Sequence, residues 1–396
     1  MIEAAHVPPL LRLPGDTARL RYAIVCTPRG DGSPCEGSGT VYVRGGPSGT
    51  FRPLPLERGD DSKDGRYYAD VPEGVAASPE GFSYYAVLRD DSTGATVTVP
   101  SGGAAAPQQS QLLDDPVGVS LGRHQFDRTR VPDAHAAEAS WGSAPQDIGL
   151  AGSRALGFAG PSSFDVEEDG AVDVLDSVNG RVMRWRNGGR EVVGLDGPLE
   201  LADFAAEPDG GFDVLDTRGV LRRYGADGTS KWSQKLADRT WATLAKGALV
   251  LQEPSEQWMP VAVDGAPLAR AEQARRGHAG RADVVVDRVG AGELRVAAGK
   301  RAWRITSATP LGEVQLAEAR GNRLIVVTRA YTDDRDEFVV LVLDQTGLAE
   351  HFSVASDSWT ETAPLARFRL ARDTLYRLRT TPTGVFVDRF DLEVSR

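Results

Sequence analysis

The sequence predicts an all-β protein, and three observations support that prediction. Short runs of alternating apolar and polar residues, such as ARLRYAIVC at 18–26 and GFSYYAVLRDD at 81–91, have the period of strands. Gly, Pro, Asp and Ser separate these runs about every 8 to 12 residues, which is typical of all-β domains. From residue 137 onward, similar groups of runs recur about 40 residues apart. We therefore expect two β domains, the second of them built from repeats.

The first domain is predicted over residues 1–102 as a β-sandwich. Its runs include GTVYVRGG, GRYYADVPEGV and ATVTVPSGG, and its turns carry GGPSG, DDSKDG and DDSTG. Six or seven strands in about a hundred residues are typical of two packed sheets with alternate Tyr and Val in the core. The pattern resembles an immunoglobulin-like or fibronectin type III-like module. The Cys…Trp…Cys spacing of true immunoglobulin domains is absent, so the resemblance covers the architecture only.

Two cysteines, Cys26 and Cys35, stand nine positions apart in CTPRGDGSPC. In an oxidising compartment they could form a disulfide that closes a hairpin loop. Otherwise they would be free thiols at strand ends, and the sequence leaves both alternatives open. Two thiols without further ligands do not complete a tetrahedral zinc site.

Residues 103–136 are predicted as a linker between the two domains. Their first part is the small and Gln-rich AAAPQQSQ, and one strand is expected within PVGVSLG. His124 and His135 fall in this segment. We expect both side chains to be solvated.

The repeat is clearest in two segments that match at an interval of 40 residues. FDVEEDGAVDVLDSVNGRVMRW begins at Phe164, and FAAEPDGGFDVLDTRGVLRRY begins at Phe204. The turn glycines of the hairpins that follow are separated by 39, 37, 47 and 35 residues. They are Gly189, Gly228, Gly265, Gly312 and Gly347. A period near 40 with four short strands in each unit predicts the blades of a β-propeller.

Six blades over residues 137–396 are expected if the first and last segments pair. Five units run to about residue 355, and the chain then supplies three strands, LARFRLA, DTLYRLRTT and GVFVDRFDLE. EASWGS at 138–143 is left over before the first unit. We expect it to become the outermost strand of the last blade, because a three-stranded blade would leave an open sheet edge.

The segment from 141 to 185 resembles an NHL repeat. It opens with WG, places GPSS before the first strand and DG at the turn, continues with LDSVNGRV and ends on an aromatic residue. The match is weaker over 200–225, and only the hairpin spacing continues beyond it. The resemblance implies a rigid disc with a central channel that serves as a binding platform. It also implies an alternative, because a minority of NHL-type propellers are calcium-dependent lactonases or an amidating lyase that uses calcium and zinc.

The repeated acids are Asp169, Asp173 and Asp176, followed by Asp209, Asp213 and Asp216. Their recurrence predicts a structural role, because a catalytic residue is usually needed only once. In a DG turn the carboxylate accepts backbone N–H groups, and at a strand end it caps the following loop. The chain has only five histidines, three asparagines and no nucleophile motif. We therefore expect no catalytic residue, no metal site and no cofactor.

Charge and hydropathy narrow the classes of partner and compartment. The net charge of −11 disfavours nucleic acid and anionic membrane surfaces as partners. No window approaches the roughly 18 apolar residues of a membrane span. The opening MIEAAHVPPLLRLPGD lacks a basic and apolar leader pattern. We expect a protein of the cytoplasm or of an exported particle, or a secreted protein if a signal peptide has been removed.

The longest loops of the repeat region are predicted to form the partner-binding surface. QEPSEQW, AEQARRGHAGRA, AYTDDRDE and VASDSWTETAP are expected on one face of the disc, opposite the tight Gly turns. Long mixed loops on a rigid frame often carry binding residues, and aromatic residues and Arg are favoured at interface hot spots. The candidate partner-binding residues are Trp258, Arg275, Arg276, Tyr331, Asp333, Asp334, Asp336 and Trp359.

These residues predict a non-catalytic scaffold or adaptor that binds protein partners. One specific expectation is a structural or receptor-binding subunit of a larger assembly, such as a phage-tail-like contractile particle. The first alternative is a secreted lectin whose aromatic loops stack on carbohydrate rings. The second is a calcium-dependent hydrolase of the lactonase type.

Overall fold

The computed structural model describes residues 2–26, 36–59, 66–153, 157–197, 199, 201–236, 243–245, 250–252, 257–263, 266–268, 280–281, 284–361 and 364–392. Almost all regular structure in these residues is strand. The helical exceptions are a single turn, α1 (Glu73–Ala76), and a 3-10 turn at Gly103–Ala105. In the described residues, no helix is long and apolar enough to cross a membrane. The all-β prediction is confirmed for these residues.

The N-terminal part consists of two sheets that share one hydrophobic core. The first contains β1 (Ile2–His6), β3 (Arg19–Cys26), β7 (Arg66–Asp70) and β6 (Glu57–Arg58), paired in that order. The second contains β2 (Leu11–Arg12), β10 (Gln108–Leu112), β8 (Phe82–Asp90), β4 (Gly37–Gly45) and β5 (Arg52–Pro55), with β9 (Thr96–Val99) also on β8. Leu20 and Ile24 of the first sheet pack with Val41, Tyr84 and Leu88 of the second. Two layers around one core are the arrangement of a β-sandwich.

The segment predicted as a linker, 103–136, instead contributes strands to both parts of the chain. β10 pairs with β8, β11 (Val117–Ser120) pairs with a strand of the repeat region, and β12 (Ala134–Ser140) begins within the segment. The sequence concealed β10 because its residues are polar, although Gln108 and Ser110 are buried. Other parts of the fold bury these two residues. Burial of this kind leaves no alternation of apolar and polar residues in the sequence.

The repeat region forms six four-stranded sheets within the described residues, numbered here 1 to 6 along the chain. A short hairpin, β13 (Ala151–Ser153) and β14 (Gly157–Ala159), precedes them. Sheet 1 contains β15 (Ser163–Val166), β16 (Val172–Asp176), β17 (Arg181–Arg186) and β18 (Gly189–Gly194). Sheet 2 contains β19 (Ala202–Ala206), β20 (Phe212–Asp216), β21 (Val220–Tyr224) and β22 (Ser230–Lys235).

Sheets 3 to 6 continue this pattern with two additions from earlier in the chain. Sheet 3 contains β23 (Thr243–Ala245), β24 (Val250–Gln252), β25 (Gln257–Pro260) and β28 (Gly280–Arg281). A separate hairpin, β26 (Ala262–Val263) and β27 (Ala266–Pro267), comes between β25 and β28 in sequence. Sheet 4 contains β29 (Val284–Arg288), β30 (Glu293–Ala298), β31 (Arg301–Thr306) and β11. Sheet 5 contains β32 (Leu311–Arg320), β33 (Arg323–Tyr331), β34 (Asp336–Asp344) and β35 (Gly347–Ala355). Sheet 6 contains β36 (Phe368–Ala371), β37 (Thr374–Thr381), β38 (Gly384–Asp391) and β12.

Neighbouring sheets pack face to face through shared hydrophobic clusters. Such clusters join sheets 1 and 2, 2 and 3, 4 and 5, 5 and 6, and 6 and 1, while the side chains between sheets 3 and 4 fall largely outside the described residues. In the cluster between sheets 6 and 1, Phe164 and Val174 meet Leu378 and Val387. The last sheet therefore returns to the first, which is the arrangement of a β-propeller.

The closing strand predicted near 138–143 is present and is longer than expected toward its N-terminus. β12 runs antiparallel to β38, with Glu138 opposite Phe386, Ala139 opposite Val385 and Ser140 opposite Gly384. The pairing continues back to Ala134, inside the segment predicted as a linker. Ala137 is buried against the cluster between sheets 6 and 1. β12 thus covers the edge that sheet 6 would otherwise expose.

The strand expected within PVGVSLG is present as β11, but its place in sheet 4 was not expected. The predicted hairpin at Gly312 is wrong. The structure places Gly312 within β32, and β31 and β32 belong to different sheets. β11 supplies the fourth strand of sheet 4 and runs parallel to β31. Residues 117–140, named the strap here, then pass the outer strand of sheet 5, where Thr129 forms a bridge with Ser353. The strap therefore follows the outer edges of sheets 4, 5 and 6 in turn.

The sandwich also contacts sheet 4 directly. Leu10, Leu11 and Leu113 form one buried cluster with Val285 and Ala297. The backbone N–H of Leu11 donates to a carboxylate oxygen of Asp287 at 2.8 Å. Arg295, on β30, donates to the carbonyl oxygen of Leu11 and to Asp16. Apolar and ionic contacts both hold the two parts together.

Candidate functional site

The predicted partner-binding residues fall into three groups. Arg275 and Arg276 lie outside the described residues, as does the side chain of Trp258, whose backbone belongs to β25. The two arginines lie in sequence between β25 and β28, the third and fourth strands of sheet 3. Tyr331, Asp333, Asp334, Asp336 and Trp359 are described and are considered next.

The turn between β33 and β34 presents acidic side chains to solvent. Asp333 and Asp334 are exposed, and Tyr331 and Asp336 are half-buried. Asp336 accepts a hydrogen bond from Arg329 at 2.7 Å. The hydroxyl of Thr332 donates to Asp334 at 2.9 Å, which orders the tip of the turn. Asp333 and Asp334 therefore lie at the exposed tip of an ordered turn.

Trp359 belongs to an aromatic cluster instead of projecting alone. Its ring stacks on Phe158 with centroids 4.8 Å apart and lies 5.8 Å from the ring of Trp141. The indole N–H of Trp141 donates to the carbonyl oxygen of Thr381 at 2.8 Å. All three side chains are partly exposed. This cluster, named the aromatic patch here, lies where the last sheet meets the start of the first.

The sequence analysis selected Trp359 for this surface but not Trp141 or Phe158. Trp141 was noted as the opening of a repeat and as part of the closing segment EASWGS, and Phe158 lies on β14, a three-residue strand with no clear pattern. No local signal brings these two rings to Trp359, since Trp141 is more than 200 residues away in sequence. The closure of the ring of sheets brings them together.

The acidic turn and the loop that carries Trp359 are in contact. The hydroxyl of Ser356 donates to the backbone carbonyl of Asp336 at 2.7 Å. Arg377 donates to the carbonyl oxygen of Asp357 at 2.9 Å and fixes the same loop against sheet 6. The structure therefore brings the turn at 331–336 next to the loop that leads to the aromatic patch.

The repeated acids have structural partners, as the sequence analysis predicted. Asp169 accepts the backbone N–H of Ala171 at 3.0 Å, and Asp209 accepts that of Gly211 at the same distance. Asp176 accepts the N–H of Asn179 at 3.2 Å in the loop after β16. Asp216 likewise accepts two backbone N–H groups after β20, from Arg218 at 3.0 Å and Val220 at 2.9 Å.

The middle acids form buried ion pairs that the sequence analysis missed. Asp173 and Arg184 are opposite each other on β16 and β17, and the guanidinium donates to both carboxylate oxygens at 2.7 and 3.1 Å. Asp213 and Arg223 are opposite each other in the same way, at 2.9 Å. The detectable signal was an Arg 10 or 11 residues after each Asp, which places the two side chains across a hairpin.

Asp213 shares its site with a second buried carboxyl group. Burial first, and a hydrogen bond with Glu207 second, raise the pKa of Asp213 from its ordinary 3.8 to about 8. Oδ1 of Asp213 and Oε1 of Glu207 receive no other hydrogen bond in the described residues. A proton shared between the two carboxyl groups satisfies both oxygens, and Arg223 balances the remaining charge.

This pair makes the free energy of unfolding depend on pH. Because the pKa of Asp213 is higher in the folded chain than in the unfolded one, its contribution is complete below about pH 4 and is lost as the pH rises toward about 8. We expect the free energy of unfolding of the wild-type protein to fall by about 1 kcal/mol or more across that window. Asp213→Asn should abolish this fall. Urea unfolding at pH 5 and pH 8 measures it. Asp227→Asn, at an exposed acid with a lowered pKa, is the control. Parallel pH profiles for wild type and Asp213→Asn would contradict the shared proton.

His124 is largely buried, which corrects its predicted solvation, whereas His135 is exposed as predicted, although it also has a partner. His124 Nε2 lies 2.8 Å from Glu337, and His135 Nδ1 lies 2.8 Å from Asp388. The side chain of His351 is exposed, and His278 lies outside the described residues. Within the parts of the chain that the structure describes, no three His, Cys, Asp or Glu side chains form a group able to hold a metal ion. Cys35 and the side chain of Cys26 lie outside the described part of the chain, and so does their possible disulfide.

The innermost strands bring opposite charges together at the centre of the ring. Arg369 of sheet 6 donates to the carbonyl oxygen of Phe164 on sheet 1 at 3.0 Å, and its guanidinium lies 3.5 Å from Asp203 on sheet 2. Asp203 also accepts the backbone N–H of Leu244 on sheet 3 at 3.0 Å. These groups tie the inner ends of four sheets to one another.

Comparison with known proteins finds structures of similar shape but assigns the chain to no family. No protein-family model matches the chain, and no curated protein matches its sequence. BamB from Moraxella catarrhalis is similar at 12% identity and a TM-score of 0.31, over 67% of this chain and 99% of that one. Virginiamycin B lyase from Staphylococcus aureus is similar at 8% identity and a TM-score of 0.27, over 62% and 87%. BBS1N, solved in complex with ARL6DN, is similar at 12% identity and a TM-score of 0.31, over 57% and 88%. Likenesses at these scores carry no argument about function.

Proposed function

We propose that this protein is a non-catalytic scaffold that binds a protein partner through one face of its propeller. In this proposal the six sheets are the blades of a closed, NHL-like propeller, and the N-terminal sandwich is an immunoglobulin-like module of the same scaffold. The observation that carries the proposal is the aromatic patch beside the exposed acidic turn. Partly exposed Trp side chains next to charged loops are typical of interface hot spots.

The geometry of the sheets supports a common face for these features. The turn at 331–336 joins the second and third strands of sheet 5, and the loop at 356–367 joins sheet 5 to sheet 6. Both connections leave the sheets at the same edge. Trp141 and Phe158 contact Trp359 and therefore lie at that edge as well. The opposite edge carries tight turns such as the one at Gly170, which offer little side-chain area.

The charges of this face favour a particular kind of partner. Asp333, Asp334, Asp357 and Glu361 are exposed around the turn and the loop. Arg335 is the exposed cation of the turn, and it is paired with Asp127 at 2.9 Å. A partner with an apolar side chain for the aromatic patch and basic residues around it matches this arrangement. Because this face favours a protein ligand, we propose that the protein is a subunit of a larger assembly. A phage-tail-like particle is one such assembly.

Changing the acidic turn and the patch together should weaken partner binding by more than tenfold. The variant is Asp333→Asn, Asp334→Asn and Trp359→Ala, and its physical basis is the loss of a buried aromatic contact, at about 2 kcal/mol, and of the attraction to basic residues. The matched control is Glu168→Gln with Trp185→Ala, which changes an acid and a Trp near the opposite edge. Affinity capture from cells of the source identifies the partner, and calorimetry with the purified partner measures each affinity.

A variant that changes only the exposed aspartates distinguishes a loss of binding from a loss of folding. Asp333→Asn with Asp334→Asn leaves the aromatic packing intact, so that a loss of affinity in this pair alone reports on the surface. If the partner loses affinity only for the Glu168→Gln with Trp185→Ala variant, the binding site lies on the opposite face. Saturable binding of a glycan, or lactone hydrolysis by the wild-type chain, in the absence of any protein partner would replace the scaffold with the lectin or the lactonase.

A further inference from the structure

A cavity lies between the strap and sheet 5, away from the aromatic patch. It has a volume of about 430 Å³, and residues 121–128 of the strap form one wall. The other wall is the side of sheet 5 that faces sheet 4, together with Ser307 after β31. This volume lies in the range of cavities that hold a small organic ligand and is too small for a folded partner.

The floor of the cavity is apolar and firmly packed. Leu311, Ala330 and Val339 line it and belong to the buried cluster between sheets 4 and 5. Phe352, on the outer strand of sheet 5, also lines the cavity, but its ring packs on the opposite side, against the cluster between sheets 5 and 6 and under the guanidinium of Arg130. The floor is therefore a fixed surface that an apolar group can contact without rearrangement of the core.

The rim of the cavity is positively charged. Arg123, Arg128 and His351 line it and are exposed. In the described part of the chain, neither arginine side chain has an ionic or hydrogen-bonding partner. Two unpaired cations stand out in this chain, because its 56 acidic residues outnumber its 45 Lys and Arg residues.

The acids near this rim already have other partners. Glu337 accepts from His124 at 2.8 Å and from the backbone N–H of Asp127 at 2.6 Å. Asp127 in turn pairs with Arg335 at 2.9 Å. Farther along the strap, Arg130 donates to Glu350 of β35 at 3.1 Å. These pairs fix the wall of the cavity and leave the charges of Arg123 and Arg128 uncompensated.

We propose that this cavity binds a small organic anion, with its phosphate or carboxylate held by Arg123 and Arg128 and its apolar part on Leu311, Ala330 and Val339. Guanidinium groups form charge-assisted hydrogen bonds with both kinds of anion. An apolar floor under a cationic rim selects for a ligand that carries both features. The site is independent of the partner surface proposed above, because it uses different residues of the strap and of sheet 5.

Calorimetry at low salt with four probes tests this site on the full chain. Phenyl phosphate and phenylacetate carry both features, inorganic phosphate carries the charge alone, and benzyl alcohol carries the ring alone. We expect saturable binding of one of the first two at one site per chain, and tighter than either single-feature probe. The better of the two identifies phosphate or carboxylate as the anionic group.

The variant Arg123→Gln with Arg128→Gln should weaken that binding at least tenfold. Both side chains are exposed, so the fold should be kept. Arg21→Gln with Arg52→Gln, at exposed positions of the N-terminal sheets, makes the same change of net charge away from the cavity and should alter affinity by less than twofold. Equal losses in the two variants would show only a general charge effect. No saturable binding of either aromatic anion, or equal binding of benzyl alcohol, would overturn the proposal.

Discussion

A chain in which residues 134–140 are replaced by a Gly-Ser linker of the same length should not form a stable monomer. β12 pairs with β38 from Ala134 to Ser140 and buries Ala137 between sheets 6 and 1. Without it, sheet 6 has an open edge and the last contact that closes the ring is weakened. The linker keeps the chain long enough to reach the first sheet, so the effect belongs to the strand. Thermal unfolding and size-exclusion chromatography should show an unfolded or associated chain.

A single substitution tests the same closure in a graded way. A Cβ added at Gly384 would lie 2.1 Å from the carbonyl oxygen of Ala139, so Gly384→Ala must push β12 away from β38. We expect a loss of about 1–3 kcal/mol in the free energy of unfolding. Gly194→Ala is the control, because Gly194 lies at the end of β18 in sheet 1 and has nothing within 4 Å of an added Cβ. A monomeric linker variant with an unchanged melting temperature would refute the role of β12 in closure.

Arg184→Met should destabilise the protein by about 3–5 kcal/mol, because it leaves the carboxylate of Asp173 buried without its partner. Asp173 is fully buried in sheet 1, and Arg184 is its bidentate donor. Burial raises the pKa of Asp173 even with Arg184 present, and the guanidinium opposes that rise. Without it, the carboxyl group must take up a proton or remain charged and unpaired. Urea unfolding at neutral pH measures the loss.

Two further variants separate the buried pair from a general effect of charge. Arg186→Met removes a more exposed arginine two residues away and should cost less than about 1 kcal/mol. Asp173→Leu combined with Arg184→Met should recover most of the stability, because neither charge is then left alone. Calcium should not rescue the single variant. A loss below about 1 kcal/mol for Arg184→Met, or its rescue by calcium, would show that Asp173 does not depend on this ion pair.

The local pattern of residues was sufficient for much of the fold. Alternating runs and Gly-rich turns predicted an all-β chain, because both signals arise from the backbone of neighbouring residues. The 40-residue repeat predicted two successive sheets at Phe164 and Phe204, and both are present. The unpaired edge of the final three strands predicted a partner from the segment near 138. The repeated Asp residues of the turns were likewise assigned correctly from their DG context.

Contacts between distant parts of the chain decided what the pattern could not show. β10 lies in a segment of weak pattern and becomes a strand by pairing with β8, and β11 was expected as a strand but its place beside β31 was not. The aromatic patch needs Trp141 and Trp359, which only the closure of the ring brings together. The cavity under the strap needs Arg123 to lie over a sheet that begins almost 190 residues later.

The sequence by itself therefore determined the strands, the turns and the repeat, since these depend on residues a few positions apart. The tertiary structure alone decided where the strap runs, which charges are left uncompensated and which aromatic rings meet. A strand at a sheet edge takes its hydrogen bonds from another segment, and a binding surface takes its side chains from several. Neither the pairing partner of an edge strand nor the segments that share a binding surface can be identified from the local order of residues.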